Sequence, residues 1–128
     1  MLQIYVDGAC MPNPGKGGWA YVVIENSEIK THKNGTQLET TNNVMELRAI
    51  FEAIKHGQGT PMTIYSDSQY AIKTINGEFR AKKIKELISE IRELYDKEEV
   101  ILVWVKGHAG NEGNEAADYY ANKAAGIE

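Results

Sequence analysis

The chain has 128 residues, 42% of them hydrophobic and 25% charged, which is the composition of a globular protein with its own core. Its net charge of −4 disfavours binding to nucleic acid through a generally basic surface, but it is compatible with a site whose carboxylates hold cations. The single cysteine excludes an internal disulfide. The first residues do not have the pattern of a secretory signal, and no apolar run approaches the roughly 20 residues that span a bilayer. We therefore expect a single cytoplasmic domain over residues 1–128.

The first 40 residues predict three strands. Residues 2–6 alternate between apolar and polar types and end at Asp7, which indicates a strand with one buried face. Residues 8–18 contain two prolines and four glycines and predict a loop. Strands are predicted at residues 19–25 and about 28–36, and the two-residue link between them favours an antiparallel hairpin.

Helical periodicity begins near Thr41, where Asn42 or Asn43 could cap the first turn, and glycines 57 and 59 end this helix. A strand over residues 60–67, a short helix over 68–75 and a strongly amphipathic helix over 80–96 follow. The apolar run VILVWV at 100–105 is typical of a central strand covered on both faces. A glycine-spaced loop at 107–113 then leads into an alanine-rich helix that ends near Ala125.

This order of elements predicts an α/β fold with a mixed sheet. The first three strands are expected to be antiparallel, and crossover connections then add two parallel strands. Such connections place helices on both faces of the sheet. Trp19 and Trp104 are expected in the core, and Cys10 is expected to be a small packed residue.

Four acidic residues are candidates for one site at the edge of this sheet. Asp7 and Asp67 follow the similar sequences YV and YS, and they would be neighbours if their strands are parallel. Open α/β sheets bind ligands at the carboxyl ends of such strands. Glu46 and Asp118 lie in the early parts of their helices. The residues alone leave another interpretation open, because Asp often ends a strand and early-helix acids complement the helix dipole.

If these four carboxylates converge, they would repel one another strongly unless cations lay between them. Oxygen ligands without a matching Cys or His cluster favour Mg²⁺ or Mn²⁺ over zinc. Two such ions roughly 4 Å apart can activate a water molecule and stabilise the leaving oxygen in phosphoryl transfer.

Several short motifs occur in a characteristic order: YVDGAC at 5–10, NPG at 13–15, TNNVMEL at 41–47, YSDSQY at 65–70, WVKGHAG at 104–110, then Asn114-Glu115 and Asp118. Each is weak alone, but their order and separations together are specific. From about residue 3 to residue 125 the chain resembles the type 1 group of the ribonuclease H family. The resemblance implies a ribonuclease H-like fold and an endonuclease that cuts the RNA strand of RNA–DNA hybrids, leaving 5′-phosphate and 3′-hydroxyl ends.

The resemblance also implies roles for individual residues. Two Mg²⁺ ions, with Mn²⁺ as a substitute, would be held by Asp7, Glu46, Asp67 and Asp118. His108 resembles a loop histidine that assists proton handling or product release. Amide side chains suit contacts with 2′-hydroxyls in the minor groove because they both donate and accept hydrogen bonds. The implied substrate-binding residues are Asn13, Asn43 and Gln69, with further contacts from Gly8, Cys10, Asn42 and Ser68.

One feature departs from the family pattern. Many members carry a long basic, tryptophan-containing insertion after the second helix, whereas only 29 residues lie between Tyr70 and Val100 here. The segment is basic at Lys73, Arg80, Lys82, Lys83 and Lys85 but contains no tryptophan. We therefore expect weaker intrinsic affinity for the hybrid. A partner protein could supply additional affinity, and a monomer is the default expectation.

Two alternatives remain at this point. The chain could be a related metal nuclease of the same fold that acts on structured DNA or double-stranded RNA. It could instead be a catalytically silent module that binds hybrids, although the presence of all four acids disfavours that interpretation. The sequence leaves open whether the chain is free-standing or part of a larger polyprotein.

Overall fold

The computed structural model describes residues 1–77 and 84–127, within which the chain forms five strands and four helices. The strands are β1 (Leu2–Cys10), β2 (Gly15–Glu25), β3 (Glu28–Thr40), β4 (Met62–Ser66) and β5 (Val100–Trp104). The helices are α1 (Asn42–His56), α2 (Gln69–Ile75), α3 (Lys85–Lys97) and α4 (Glu112–Ala125). The predicted start of the amphipathic helix at residues 80–83, with Arg80, Lys82 and Lys83, lies outside the described residues.

The strands form one mixed sheet in the order β3-β2-β1-β4-β5. The pairs β1–β2 and β2–β3 are antiparallel, and β1–β4 and β4–β5 are parallel, which confirms the predicted topology. Helices lie on both faces. A Cβ atom at Gly8 would touch the backbone of α1, whereas Gly113 of α4 lies against the ring of Tyr5, which points to the opposite face of β1.

The main core lies between the sheet and α1. Ile4 and Val6 of β1 and Leu47, Ile50 and Ile54 of α1 are fully buried, as their strand and helix periodicities require. A smaller cluster on the other face consists of Ala9, Ala20, Ala121 and Ala125. Because these side chains are small, α4 packs close to the sheet, and its residues approach the carboxyl end of β1. Within the described ranges no helix is long and apolar enough to cross a membrane.

The predicted loop over residues 8–18 was mostly wrong. β1 continues to Cys10 and β2 begins at Gly15, so only residues 11–14 connect them. The glycine at position 18 allows α4 to pack closely on the hairpin, since a Cβ there would lie 2.5 Å from the Ala121 carbonyl oxygen. The third strand also extends further than predicted, to Thr40.

Three other predictions are corrected by the structure. β5 is an edge strand and not a central one, and Trp104 is 46% exposed and therefore outside the core. Trp19 is partly buried and packs against the core. Helix α1 is capped by Thr41 and not by Asn42 or Asn43, because the Thr41 hydroxyl accepts a hydrogen bond from the Val44 N–H at 3.2 Å.

Candidate active site

The parallel pairing of β1 and β4 places Asp7 and Asp67 side by side. Tyr5 and Tyr65 are aligned in the register of the two strands, and their rings stack with centroids 4.5 Å apart. Each aspartate follows two residues later. β4 ends at Ser66, whereas β1 continues beyond this point and Asp7 pairs with Ala20 of β2. The prediction that Asp7 ends its strand is therefore wrong. Asp7 lies within β1, at the level where the parallel strand β4 ends.

Glu46 reaches the same point from α1. Its side chain is 3% exposed, and the Gly8 N–H donates to its Oε1 atom and also, at 2.9 Å, to Oδ1 of Asp7. This approach requires glycine at position 8, because a Cβ there would lie 2.4 Å from the Glu46 backbone nitrogen. One peptide N–H thus connects the two carboxylates to the central strand.

Three of the predicted acids form a tight cluster. Carboxylate oxygens of Asp7, Glu46 and Asp67 all lie within 4.8 Å of one another. The fourth, Asp118 on α4, lies outside this cluster but faces the same cleft. Oε2 of Glu46 is buried and has no hydrogen-bond partner among the residues that the structure describes. A buried carboxylate oxygen without a donor is costly in free energy unless a cation supplies the missing interaction.

The electrostatics of the cluster also indicate a cation site. Burial raises the pKa of Asp7 to about 12, and the negative charges of Glu46 and Asp67 and contact with Asp118 add to this effect. Burial likewise raises the pKa of Glu46 to about 7, with smaller contributions from Asp67 and Asp118. Carboxylates in such a site are ionised most readily when a metal ion offsets their repulsion. The oxygen-only donor set, its spacing and the unpartnered oxygen therefore fit a divalent cation.

His108 and four of the seven predicted substrate-binding residues line the cleft around these acids: Gly8, Cys10, Asn42 and Ser68. His108 is exposed and adopts a positive φ of 55° in the loop before α4. The other three predicted residues, Asn13, Asn43 and Gln69, are exposed and do not line the cleft itself. Asn13 accepts a hydrogen bond from the Asn42 N–H at 3.1 Å, which connects the β1–β2 turn to the start of α1.

Two asparagines of α4 contact the acids and were not among the predicted site residues. The side-chain amide of Asn114 donates to Oδ2 of Asp67 at 3.3 Å, and that of Asn122 donates to Oδ2 of Asp118 at 3.2 Å. Residues 114, 118 and 122 are spaced four apart, so they share one face of the helix. This spacing is a signal in the sequence that could have identified both asparagines.

Comparison with known proteins agrees with the geometry. Ribonuclease H of Francisella philomiragia is 40% identical in an alignment that covers 94% of this chain and 88% of the relative. Ribonuclease H of Francisella tularensis subsp. novicida matches with the same identity and coverage.

Solved structures show the same fold. A ribonuclease H1 named LC11, solved in complex with an RNA/DNA hybrid, superposes with a TM-score of 0.83 at 23% identity, covering 98% of this chain and 97% of that chain. The N-terminal RNase H domain of a Mycobacterium tuberculosis protein gives 0.82 at 24% identity, with coverage of 98% and 95%. The family model described as RNase H matches residues 1–126, and the chain belongs to the ribonuclease H family.

Proposed function

We propose that this protein is an endoribonuclease that hydrolyses the RNA strand of RNA–DNA hybrids and leaves 5′-phosphate and 3′-hydroxyl ends. The observation that carries the proposal is the convergence of the Asp7, Glu46 and Asp67 carboxylates within 4.8 Å in an open cleft of a ribonuclease H family member. The hybrid bound to the similar LC11 ribonuclease H1 supports the substrate class.

The four acids are proposed to hold two Mg²⁺ ions, for which Mn²⁺ could substitute. When bound, such ions supply an activated water molecule and stabilise the leaving oxygen of the phosphodiester. The chain's part is to fix the carboxylates before substrate arrives. The Gly8 N–H connects Asp7 to Glu46, and the helices α1 and α4 bring Glu46 and Asp118 to the two strands.

His108 is proposed to exchange a proton at the cleft. Its ring is exposed at the opening, on a loop between Gly107 and Gly110, and so can reach substrate without displacing the acids. A protonated imidazole can donate a proton from a ring nitrogen, and the neutral ring that remains can accept one again. That makes the side chain suitable for protonating the leaving 3′ oxygen or for releasing product.

The amide side chains are proposed to recognise the hybrid. Asn13, Asn43 and Gln69 are exposed, in the β1–β2 turn and in the first turns of α1 and α2. Because the Asn13 carbonyl oxygen already accepts from Asn42, its NH₂ group remains to donate to the substrate. Ser68, which caps α2 with its hydroxyl, and Cys10, whose thiol donates to the Thr40 or Pro12 carbonyl oxygen, are proposed to shape the surface around these amides.

The binding strength is proposed to be modest, since the segment between Tyr70 and Val100 is short. A plot of log Kd against log salt concentration should have a shallow slope, because few phosphate contacts release few counterions. A steep slope would contradict this. The protein is proposed to act as a monomer, with a partner protein as a source of further affinity.

The first experiment is cleavage of a labelled RNA–DNA hybrid with Mg²⁺ and with EDTA, alongside Asp7→Asn. Single-stranded RNA, double-stranded RNA and duplex DNA serve as competing substrates. Cleavage of the RNA strand of the hybrid alone, lost with EDTA and in Asp7→Asn, is the expected result. Equal cleavage of other duplexes would favour a related nuclease, and binding without cleavage in Mg²⁺ or Mn²⁺ would favour a silent binding module.

A further inference from the structure

Asn114 is an unusually buried polar residue for the start of a helix. Its side chain is 1% exposed, although it lies in the first turn of α4. Burying a side-chain amide is costly unless its hydrogen bonds are satisfied. The bond that the structure gives its NH₂ group runs to Oδ2 of Asp67, at 3.3 Å. The buried amide of Asn114 therefore contacts one of the acids of the cleft.

The position of the Asn114 amide is fixed by its surroundings. The Asn114 backbone N–H donates at 3.0 Å to the side chain of Asn111, which caps α4. The preceding residue, Gly113, packs so closely on Tyr5 that a Cβ would lie 2.3 Å from the ring. The contact between Gly113 and Tyr5 fixes where α4 begins relative to β1, and the cap adds stability to the first turn of the helix. The amide is thus held by the fold and does not depend on substrate for its orientation.

Asp67 is an acid that needs such support. It follows the last residue of β4, and the sheet no longer constrains it there. The Trp104 indole N–H donates to its backbone carbonyl oxygen at 3.1 Å, a bond that constrains the main chain and does not reach the carboxylate. On one side of the carboxylate, a Cβ at Gly107 would lie 2.7 Å from Oδ2. Asn114 and Gly107 therefore both meet the same oxygen.

An amide suits this position better than a cationic side chain. Arg or Lys would also bind a carboxylate, but its positive charge would repel the metal ions that the cluster is proposed to hold. An amide N–H orients the carboxylate without adding charge, and the lone pairs of the other oxygen remain available. Hydrogen-bond donors behind metal-binding carboxylates commonly tune metal affinity in this way.

We infer that Asn114 is a positioning residue of the metal site, whose buried amide holds the Asp67 carboxylate in the orientation that faces Asp7 and Glu46. The inference rests on the proposed function, because it assumes that the cluster binds divalent cations. The hydrogen bond from Asn114 to Asp67 also connects α4, which carries Asp118, to the end of β4. The positions of two acids on different elements therefore both depend on the first turn of α4.

The test is a titration of the metal-free protein, residues 1–128, with Mn²⁺, monitored by calorimetry or electron paramagnetic resonance. Asn114→Ala should weaken Mn²⁺ binding by about 10- to 100-fold, the range found when such supporting donors are removed. With hybrid as substrate, the Mg²⁺ concentration for half-maximal rate should rise while KM for the hybrid stays unchanged.

The matched control is Asn111→Ala, which removes the cap of the same helix but leaves the bond to Asp67. It should lower the melting temperature yet leave Mn²⁺ affinity within about twofold, since capping acts on helix stability.

If Asn114→Ala fails to fold, Asn114→Leu provides a second test, because leucine fills a similar volume but has no group that donates a hydrogen bond to Asp67. Weakened Mn²⁺ binding in either variant, with Asn111→Ala unaffected, supports the inference. Wild-type affinity in Asn114→Ala, or an equal loss in Asn111→Ala, would overturn it while leaving the proposed function in place. Absence of Mn²⁺ or Mg²⁺ binding by the wild-type protein would overturn both.

Discussion

The candidate site has two halves that are built differently. The buried half consists of Asp7 and Glu46, which are 4% and 3% exposed and share the backbone N–H of Gly8. The open half consists of Asp67 and Asp118, which are only partly buried and each accept a hydrogen bond from a side-chain amide of α4. The main chain therefore holds one pair of acids, and side chains hold the other.

The two halves therefore differ in their cost to folding and in the contacts that fix their geometry. Burying two adjacent carboxylates opposes folding of the metal-free protein, since both the loss of hydration and mutual repulsion disfavour their charged forms. The open half is more accessible to solvent and to substrate, so its cost is lower but its geometry must be fixed by added contacts. Four substitutions or conditions can test this division.

The largest effect is expected for Asp7→Asn. Hydrolysis should fall by about 10³-fold, which corresponds to several kcal/mol of lost charge stabilisation in the transition state. The metal-free protein should nevertheless become more stable by at least about 1.4 kcal/mol, the equivalent of one pKa unit, because folding no longer requires a carboxylate at position 7 to take up a proton. Urea unfolding in EDTA measures the stability. Asp118→Asn is the control, with lost activity but a change in unfolding free energy within about 0.5 kcal/mol.

A smaller loss of activity is expected for His108→Ala, a residue of the cleft beside the open half. Proton transfer by a positioned side chain contributes about 10²-fold or more, so kcat should fall by roughly that factor. Because His108 is exposed and lies outside the acid cluster, Mn²⁺ affinity and the melting temperature should not change. Single-turnover cleavage together with a Mn²⁺ titration measures both quantities. Loss of metal binding in this variant would contradict the separation of roles.

The pH dependence of stability should identify the buried half. In the folded protein the pKa of Glu46 is raised from 4.5 to about 7, and that of Asp7 from 3.8 to about 12. The unfolded chain therefore releases these protons at lower pH than the folded chain does, and stability falls as pH rises above 3.8, the unfolded pKa of Asp7. Between pH 5 and pH 8 in EDTA, the free energy of unfolding should decrease by at least about 1.4 kcal/mol. Asp7→Asn or added Mg²⁺ should reduce the slope; a stability that rises with pH in EDTA would be contrary evidence.

The smallest effect is expected for Asn122→Ala. Its bond to Asp118 resembles that of Asn114 to Asp67, but Asn122 is only partly buried, and water can replace its amide. Mn²⁺ affinity should change by no more than about threefold, which is within the net value of one hydrogen bond. A loss as large as that of Asn114→Ala would show that burial does not distinguish the two amides.

Much of the site was determined by the sequence. The similar segments ending at Asp7 and Asp67, and the helical positions of Glu46 and Asp118, predicted acids at one edge of a mixed sheet. The structure brings three of them within 4.8 Å and places the fourth in the same cleft. The alternation of Ile4 and Val6 and the helical spacing of α1 are local patterns, and they specify which face is buried whatever the rest of the chain does.

Other features depended on tertiary contacts. The apolar run of β5 suggested a central strand, but its position at the edge depends on strand order, which no local pattern encodes. The glycines at 8, 17 and 18 suggested a loop, yet they lie in paired strands. Glycine is needed there because a Cβ would collide with α1 at position 8, with Thr40 at position 17 and with α4 at position 18. The burial of Asn114 against Asp67 joins residues 47 positions apart in sequence. The sequence alone determined which residues could form the site, whereas the packing of helices on the sheet decided which amide would hold which acid.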